Sequence, residues 1–284
     1  IRIIRDEARI TRLGQGLHEA PYFLPESQER TLKVLREYKK YCDKAGVQKI
    51  MAVGTASFRK AKNAPEFVQK VKDEIGIEIR IISGDEEARL SFLSVEKDFG
   101  SQYPNLYALD IGGGSTEIIS KEGGVSLDLG GVVLTERIVK HDPLTRKELR
   151  MLEEAIDGKL KDVGAGPRAC PADGHPQGGA PTLIALAGSV TTLSAIKQKL
   201  STWDGTKVQG SILTLQDLEE MIALFRRTTN EERRAIVGMV KGREDTILTG
   251  TLILKKVMEK LGVTKVIVSD RGLRFGLLYT PQSP

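Results

Sequence analysis

The chain is poor in several residue types. It has two cysteines, three histidines, one tryptophan and 5% aromatic residues in 284 positions. Two cysteines, Cys42 and Cys170, cannot build a disulfide framework, and they lack the spacing of a metal-binding pair. A reducing, cytoplasmic setting is therefore expected. His18, His141 and His175 stand alone, without metal-ligand spacing, and receive no role. No apolar run reaches the roughly 18 residues needed to cross a bilayer, and no secretory signal is visible, so no membrane partner is expected. Acidic residues (38) are outnumbered by Lys and Arg (43), giving a net charge of +5. A modestly basic surface attracts polyanions. The chain opens on "IRIIRDEARI", without Met, so residues before Ile1 are expected to be missing.

What is present alternates. Residues 1–13 read as an extended segment ending in a turn around Gly14 and Gly16. "PESQERTLKVLREYKKYCDKAG" carries Leu32, Leu35 and Tyr38 at helical spacing and stops at Gly46. "VQKIMAVG" reads as a strand, Asn63–Pro65 as a helix start, "IEIRIIS" as a strand and "GDEEARLSFLSVEKDF" as a helix. "GSQYPN" is a polar break and hinge candidate. It divides the chain into domains 1–102 and 103–284, of which the first lacks its opening strands. Beyond it "LYALDI", "STEIIS" and "GGVSLDLGG" read as an antiparallel meander. Thr145 and Glu148 form a capping box before a helix. The Gly/Pro/Ala-rich 164–181 reads as a mobile loop. "TLIALA" and "KVIVSD" are buried strands, with helices from Ser189, from Thr214 and near 244–261. The charged stretch 227–245 reads as a solvated helical face that could also guide a polyanion. The fold class is α/β.

The chemistry concentrates in "ALDIGGGSTEII". A strand ends at Asp110, three glycines turn the chain, and a second strand starts near Thr116. Gly112, Gly113 and Gly114 bring bare backbone N–H groups toward an anion. Ser115 and Thr116 add hydroxyls. Asp110 and Glu117, at adjacent strand ends, can share a divalent cation. Arg59 can clamp phosphate oxygens at two points. Gly188 and Ser189 open a helix whose N–H groups can hold an anion, although helix–strand packing would also explain Gly188.

"LDIGGGSTEI" resembles the second phosphate loop of the exopolyphosphatase / guanosine pentaphosphate phosphohydrolase family. "GTASFRKAKN" (54–63), "IISGDEEARLSF" (81–92), "ALAGSVTTLSAI" (185–196) and "VSDRGLRFGLL" (268–278) resemble further segments of that family, in the same order. The resemblance implies an actin-like ATPase (ribonuclease H-like) fold, two α/β domains around a cleft, in a short two-domain form. It implies a hydrolase that removes the terminal phosphate of inorganic polyphosphate, of guanosine pentaphosphate (pppGpp), or of both, with Mg²⁺ or Mn²⁺. Glu87 matches the family's catalytic glutamate, and Asp110 and Glu117 its metal carboxylates. The family's first phosphate loop would lie before Ile1. Phe275 stands where many relatives carry an acid. A homodimer is compatible with the resemblance, and nucleic acid is not an expected partner. Two rival readings stay open: a polyphosphate or guanosine-nucleotide binding module without turnover, and an actin-fold ATPase or kinase.

Overall fold

The computed structural model describes residues 2–161, 163 and 182–280, so the expected loop 164–181, with Cys170 and His175, lies outside the described residues. Backbone proximity groups the chain into two compact units, 1–84 and 85–284.

In the first unit, α1 (Pro25–Lys44) is followed by β1 (Ala52–Gly54), α2 (Ala56–Lys60), α3 (Ala64–Ile75) and β2 (Ile79–Ile81). Strands β1 and β2 pair in parallel. Helix α3 starts as expected after Asn63 and ends on Gly76 at φ +74°, a left-handed cap that suits glycine. Residues 2–13 form no strand, and the turn falls after Arg12. The core gathers Phe23, Leu32, Phe67, Val71 and Ile75, with the Phe23 ring edge-on to Phe58 and Phe67. Two residues of "GTASFRKAKN" serve this packing. The Asn63 side chain closes two hydrogen bonds with the Phe23 backbone. A Cβ at Gly54 would lie 2.5 Å from the Phe58 ring.

The second unit opens on α4 (Gly84–Phe99), the helix expected from "GDEEARLSFLSVEKDF". Then come β3 (Leu106–Ile111), β4 (Thr116–Ser120), β5 (Gly123–Leu127), α5 (Gly131–Ile138), α6 (Arg146–Leu160) and β6 (Thr182–Leu186). The chain continues through α7 (Ala187–Lys197), α8 (Gly205–Val208), β7 (Ile212–Thr214), α9 (Leu215–Arg227), α10 (Asn230–Arg234), α11 (Ile247–Lys260), β8 (Lys265–Val268) and α12 (Leu273–Tyr279). The sheet order is β5-β4-β3-β6-β8-β7. The expected meander β3-β4-β5 is antiparallel, β3-β6-β8 run parallel, and β7 closes the edge antiparallel.

Side chains alternate along β3 and so feed two cores. Leu106 and Ala108 pack with Val95 and Phe99 of α4. Tyr107, Leu109 and Ile111 face the larger core, which α5, α6, α7, α9 and α11 complete. The capping box at Thr145–Glu148 forms as expected. The stretch 227–245 departs from a solvated helical face. Beyond the last residue of α9 it holds only the short α10, and Arg233 and Glu244 are buried.

Candidate functional site: an acidic hairpin and a glycine loop

Strand register places Asp110 directly opposite Glu117 on neighbouring strands. The hairpin expectation therefore holds at the residue level. The Glu117 carboxylate is buried and accepts from Ser126 Oγ at 2.9 Å. Helix α4 supplies the third acid. Glu87 lies in its first turn, and Ser91, one turn on, donates to Asp110 Oδ2 at 3.2 Å. The i, i+4 spacing puts Glu87 and Ser91 on one face of the helix. Burial, followed by the charges of Glu117 and Glu87, pushes the Asp110 carboxyl up to about 7, against the lowering bond from Ser91. The neighbouring Glu86 lies about 100° further round the helix.

The glycine turn is held by the start of α5. The N–H groups of Gly131, Val132 and Val133 donate to the carbonyls of Gly112 and Gly113, and Gly112 N–H donates to Ser115 O. This leaves the N–H groups of Gly113, Gly114 and Ser115 without an acceptor among the described residues. Gly113 is exposed. The close fit needs glycine on the α5 side as well, since a Cβ at Gly130 would lie 2.2 Å from Gly113 O.

A second element meets the loop. A Cβ at Gly250 of α11 would come within 2.7 Å of Ser189 Oγ, and one at Gly131 would lie 3.9 Å from Gly250 Cα. The starts of α5 and α7 thus converge beside α11. The turn into α7 passes through Ala187 at φ +71°, a left-handed conformation that costs a non-glycine residue about 1–2 kcal/mol.

The residue that sequence reading missed is Arg243. Its guanidinium occupies the space above Gly188, where a Cβ would lie 1.7 Å from Nη2. Close packing is therefore one reason for Gly188. Burial lowers the Arg243 pKa, and among the described residues its side chain has no ion pair or hydrogen bond. The sequence signal was weak, because Arg243 sits in a highly charged stretch 55 positions from Gly188. Arg59 belongs to the first unit, where it is exposed and its Nη1 donates to Ile82 O at 2.9 Å. Phe275 is buried, and the guanidinium groups of Arg271 and Arg274 lie over its ring. Two contacts hold α4 from behind. Ser94 Oγ donates to Arg271 O at 2.6 Å. A Cβ at Gly276 would lie 2.0 Å from Leu90 O.

Residues 1–282 match the Ppx/GppA phosphatase family. The chain belongs to this family. It is 31% identical to exopolyphosphatase 2 of Mycobacterium tuberculosis over 96% of this chain and 88% of that protein. It is 30% identical to the bifunctional 3-dehydroquinate synthase/phosphatase of Fusobacterium nucleatum over 97% of this chain, which spans only 41% of that protein. The crystal structure of the Aquifex aeolicus Ppx/GppA family member superposes with a TM-score of 0.76 at 33% identity, covering 98% of this chain and 88% of that one. The fold is accordingly the actin-like ATPase fold expected from the sequence. No helix among the described residues is long and apolar enough to cross a membrane.

Proposed function

We propose that this chain is a phosphohydrolase that releases the terminal phosphate of inorganic polyphosphate, with guanosine pentaphosphate as a second substrate of the same chemistry. The observation that carries the reading is the grouping of Glu87, Asp110 and Glu117 beside a loop with three unanswered backbone N–H donors. The family match and the resemblance to exopolyphosphatase 2 support it.

Asp110 and Glu117 would hold a Mg²⁺ or Mn²⁺ ion. The fit rests on the donor set: two carboxylates on adjacent strands, one of them raised by burial and then by the charge of the other, suit a hard cation that keeps most of its water. Among the described residues no group of three or more His, Cys, Asp or Glu side chains could hold a metal by itself. When bound, the ion neutralises phosphate oxygens and stabilises charge on the transferred group.

The chain's own groups do the rest. The N–H groups of Gly113, Gly114 and Ser115, with the Ser115 hydroxyl, grip the terminal phosphate. Gly112 shapes the turn. The start of α7 at Gly188 and Ser189, with Arg243, places fixed positive charge where negative charge builds up. Glu87 orients a water and takes its proton as the water oxygen bonds to phosphorus. The bridging P–O bond then breaks, and the electron pair leaves with the shortened chain. Arg59 remains a proposed phosphate contact, and the limits 1–102 and 103–284 remain the proposed domains. A cytoplasmic homodimer completes the proposal.

The test is Glu87→Gln. Turnover of polyphosphate is expected to fall by roughly 10²-fold or more while the protein stays folded and still binds substrate. Near-parental phosphate release would remove Glu87 from the reaction.

A further inference from the structure

Three arginines from two helices converge on one groove of the second unit. Arg146 opens α6, and Arg226 and Arg227 close α9. With Leu144, Thr145 and Ala223 they line a depression of about 310 Å³. No carboxylate lines it. All three arginines are exposed, and none makes an ion pair or side-chain hydrogen bond with another described residue. The nearest acid on α6 is fully committed. Glu148 accepts from Thr145, from the backbone of Lys140 and from His141.

Helix stability explains only part of this arrangement. Arg226 and Arg227 sit in the last turn of α9, where a cation is favoured. Arg146 is the first residue of α6, where the helix dipole disfavours a cation. An adjoining hollow of about 280 Å³, sharing Leu144, is of mixed charge. Its lining mixes Glu136, Asp142 and Asp245 with Lys140, His141 and Arg233. The arginine groove, by contrast, has no acid in its lining.

We propose that this groove is an accessory site for linear inorganic polyphosphate, engaging phosphates remote from the end being cut. The identity of the polymer rests on the proposed function above; the groove itself does not. The chemistry is a row of oxyanions meeting unpaired guanidinium groups, each able to make two parallel hydrogen bonds. A short oligophosphate occupies one site at a time. A long chain held in the groove raises the local concentration of its other phosphates around the protein, so affinity grows with chain length without any new contact at the glycine loop.

The experiment compares tripolyphosphate and long-chain polyphosphate across a salt series, with phosphate release followed in parallel. The proteins are the full chain, the triple variant R146A/R226A/R227A, and the charge-preserving R146K/R226K/R227K. The alanine variant is expected to bind the long chain about tenfold or more weakly at low salt. Its slope of log affinity against log salt should be shallower by about 2, from about 0.7 per lost phosphate contact. Tripolyphosphate affinity should not change, and the lysine variant should keep most of the slope. Long-chain affinity and slope equal to the parent's in the alanine variant would overturn the proposal. So would loss of single-stranded DNA binding in that variant without any loss of polyphosphate binding. If the parent releases no phosphate yet the alanine variant loses the long chain, the groove stands and the hydrolase reading falls.

Discussion

At one end of α5, Glu148 and Arg233 are buried and answered. The Glu148 carboxylate gathers hydrogen bonds from Thr145, Lys140 and His141 and is held down to about 2, although burial alone would raise it. The Arg233 guanidinium donates to the carbonyls of Phe225 and Glu244 and to Asn230 Oδ1, and only its Nε lacks a partner. At the other end, beside the glycine loop, Asp110 and Arg243 are shielded and largely unanswered. Asp110 is pushed up to about 7, and Arg243 stands against Gly188 without an ion pair among the described residues. The same residue types thus do different work within one unit. Satisfied charges build the fold. Unsatisfied ones are, under the proposed function, where a ligand supplies the missing charge.

Exchanging an arginine for methionine at each end sharpens this contrast. At the loop end, Arg243→Met is expected to lower turnover by about 10²–10³-fold, the scale for losing one transition-state donor. Its denaturation midpoint should hold or rise, because an uncompensated charge has been removed. A parental rate of phosphate release would take Arg243 out of the site.

At the far end, Arg233→Met should do the reverse. It leaves the carbonyls of Phe225 and Glu244 without their donor, at a cost of about 2–4 kcal/mol in urea unfolding. The specific activity of the folded fraction should not change. A stability loss at Arg243 with none at Arg233 would invert the comparison.

The smallest effect concerns Asp110, whose raised pKa means that its ionised form is disfavoured in the folded protein. Its contribution therefore turns against stability as pH rises from about 4 through about 7. In chelator at pH 8, Asp110→Asn should be more stable than the parent, and the gap should close toward pH 4. Added Mg²⁺ should stabilise the parent and not the variant. A gap independent of pH would show that Asp110 is not held near neutrality.

The sequence was most legible where one period dominates. Helix α4 and strands β3, β6 and β8 appear within a residue or two of their expected limits, and α6 starts at its expected cap. The opposition of Asp110 and Glu117 followed from the hairpin alone. Helix α5 has no sequence signal of its own, because its eight residues follow directly on the Gly-Gly turn that closes the meander. Residues 2–13 read as extended, yet a strand needs a paired neighbour, and none forms among the described residues. Arg243 could not be found by local pattern, since its place against Gly188 arises only from the packing of α7 beside the start of α11. Glu87 was assigned through family resemblance. Its acidic helix start is what any surface helix could show.

The glycines at 130, 188 and 276 have a consequence for how such a chain can drift. At each, the place of a first side-chain carbon is already occupied, by a loop carbonyl, a guanidinium and a helix carbonyl respectively. Hydrophobic positions can be traded for neighbours of similar volume, and surface charges can be reshuffled. A missing side chain has no near equivalent among the other nineteen amino acids. The two that meet backbone, at 130 and 276, are therefore mutational dead ends, fixed by geometry instead of by chemistry, whereas at 188 the guanidinium is the far end of a flexible side chain and can give way.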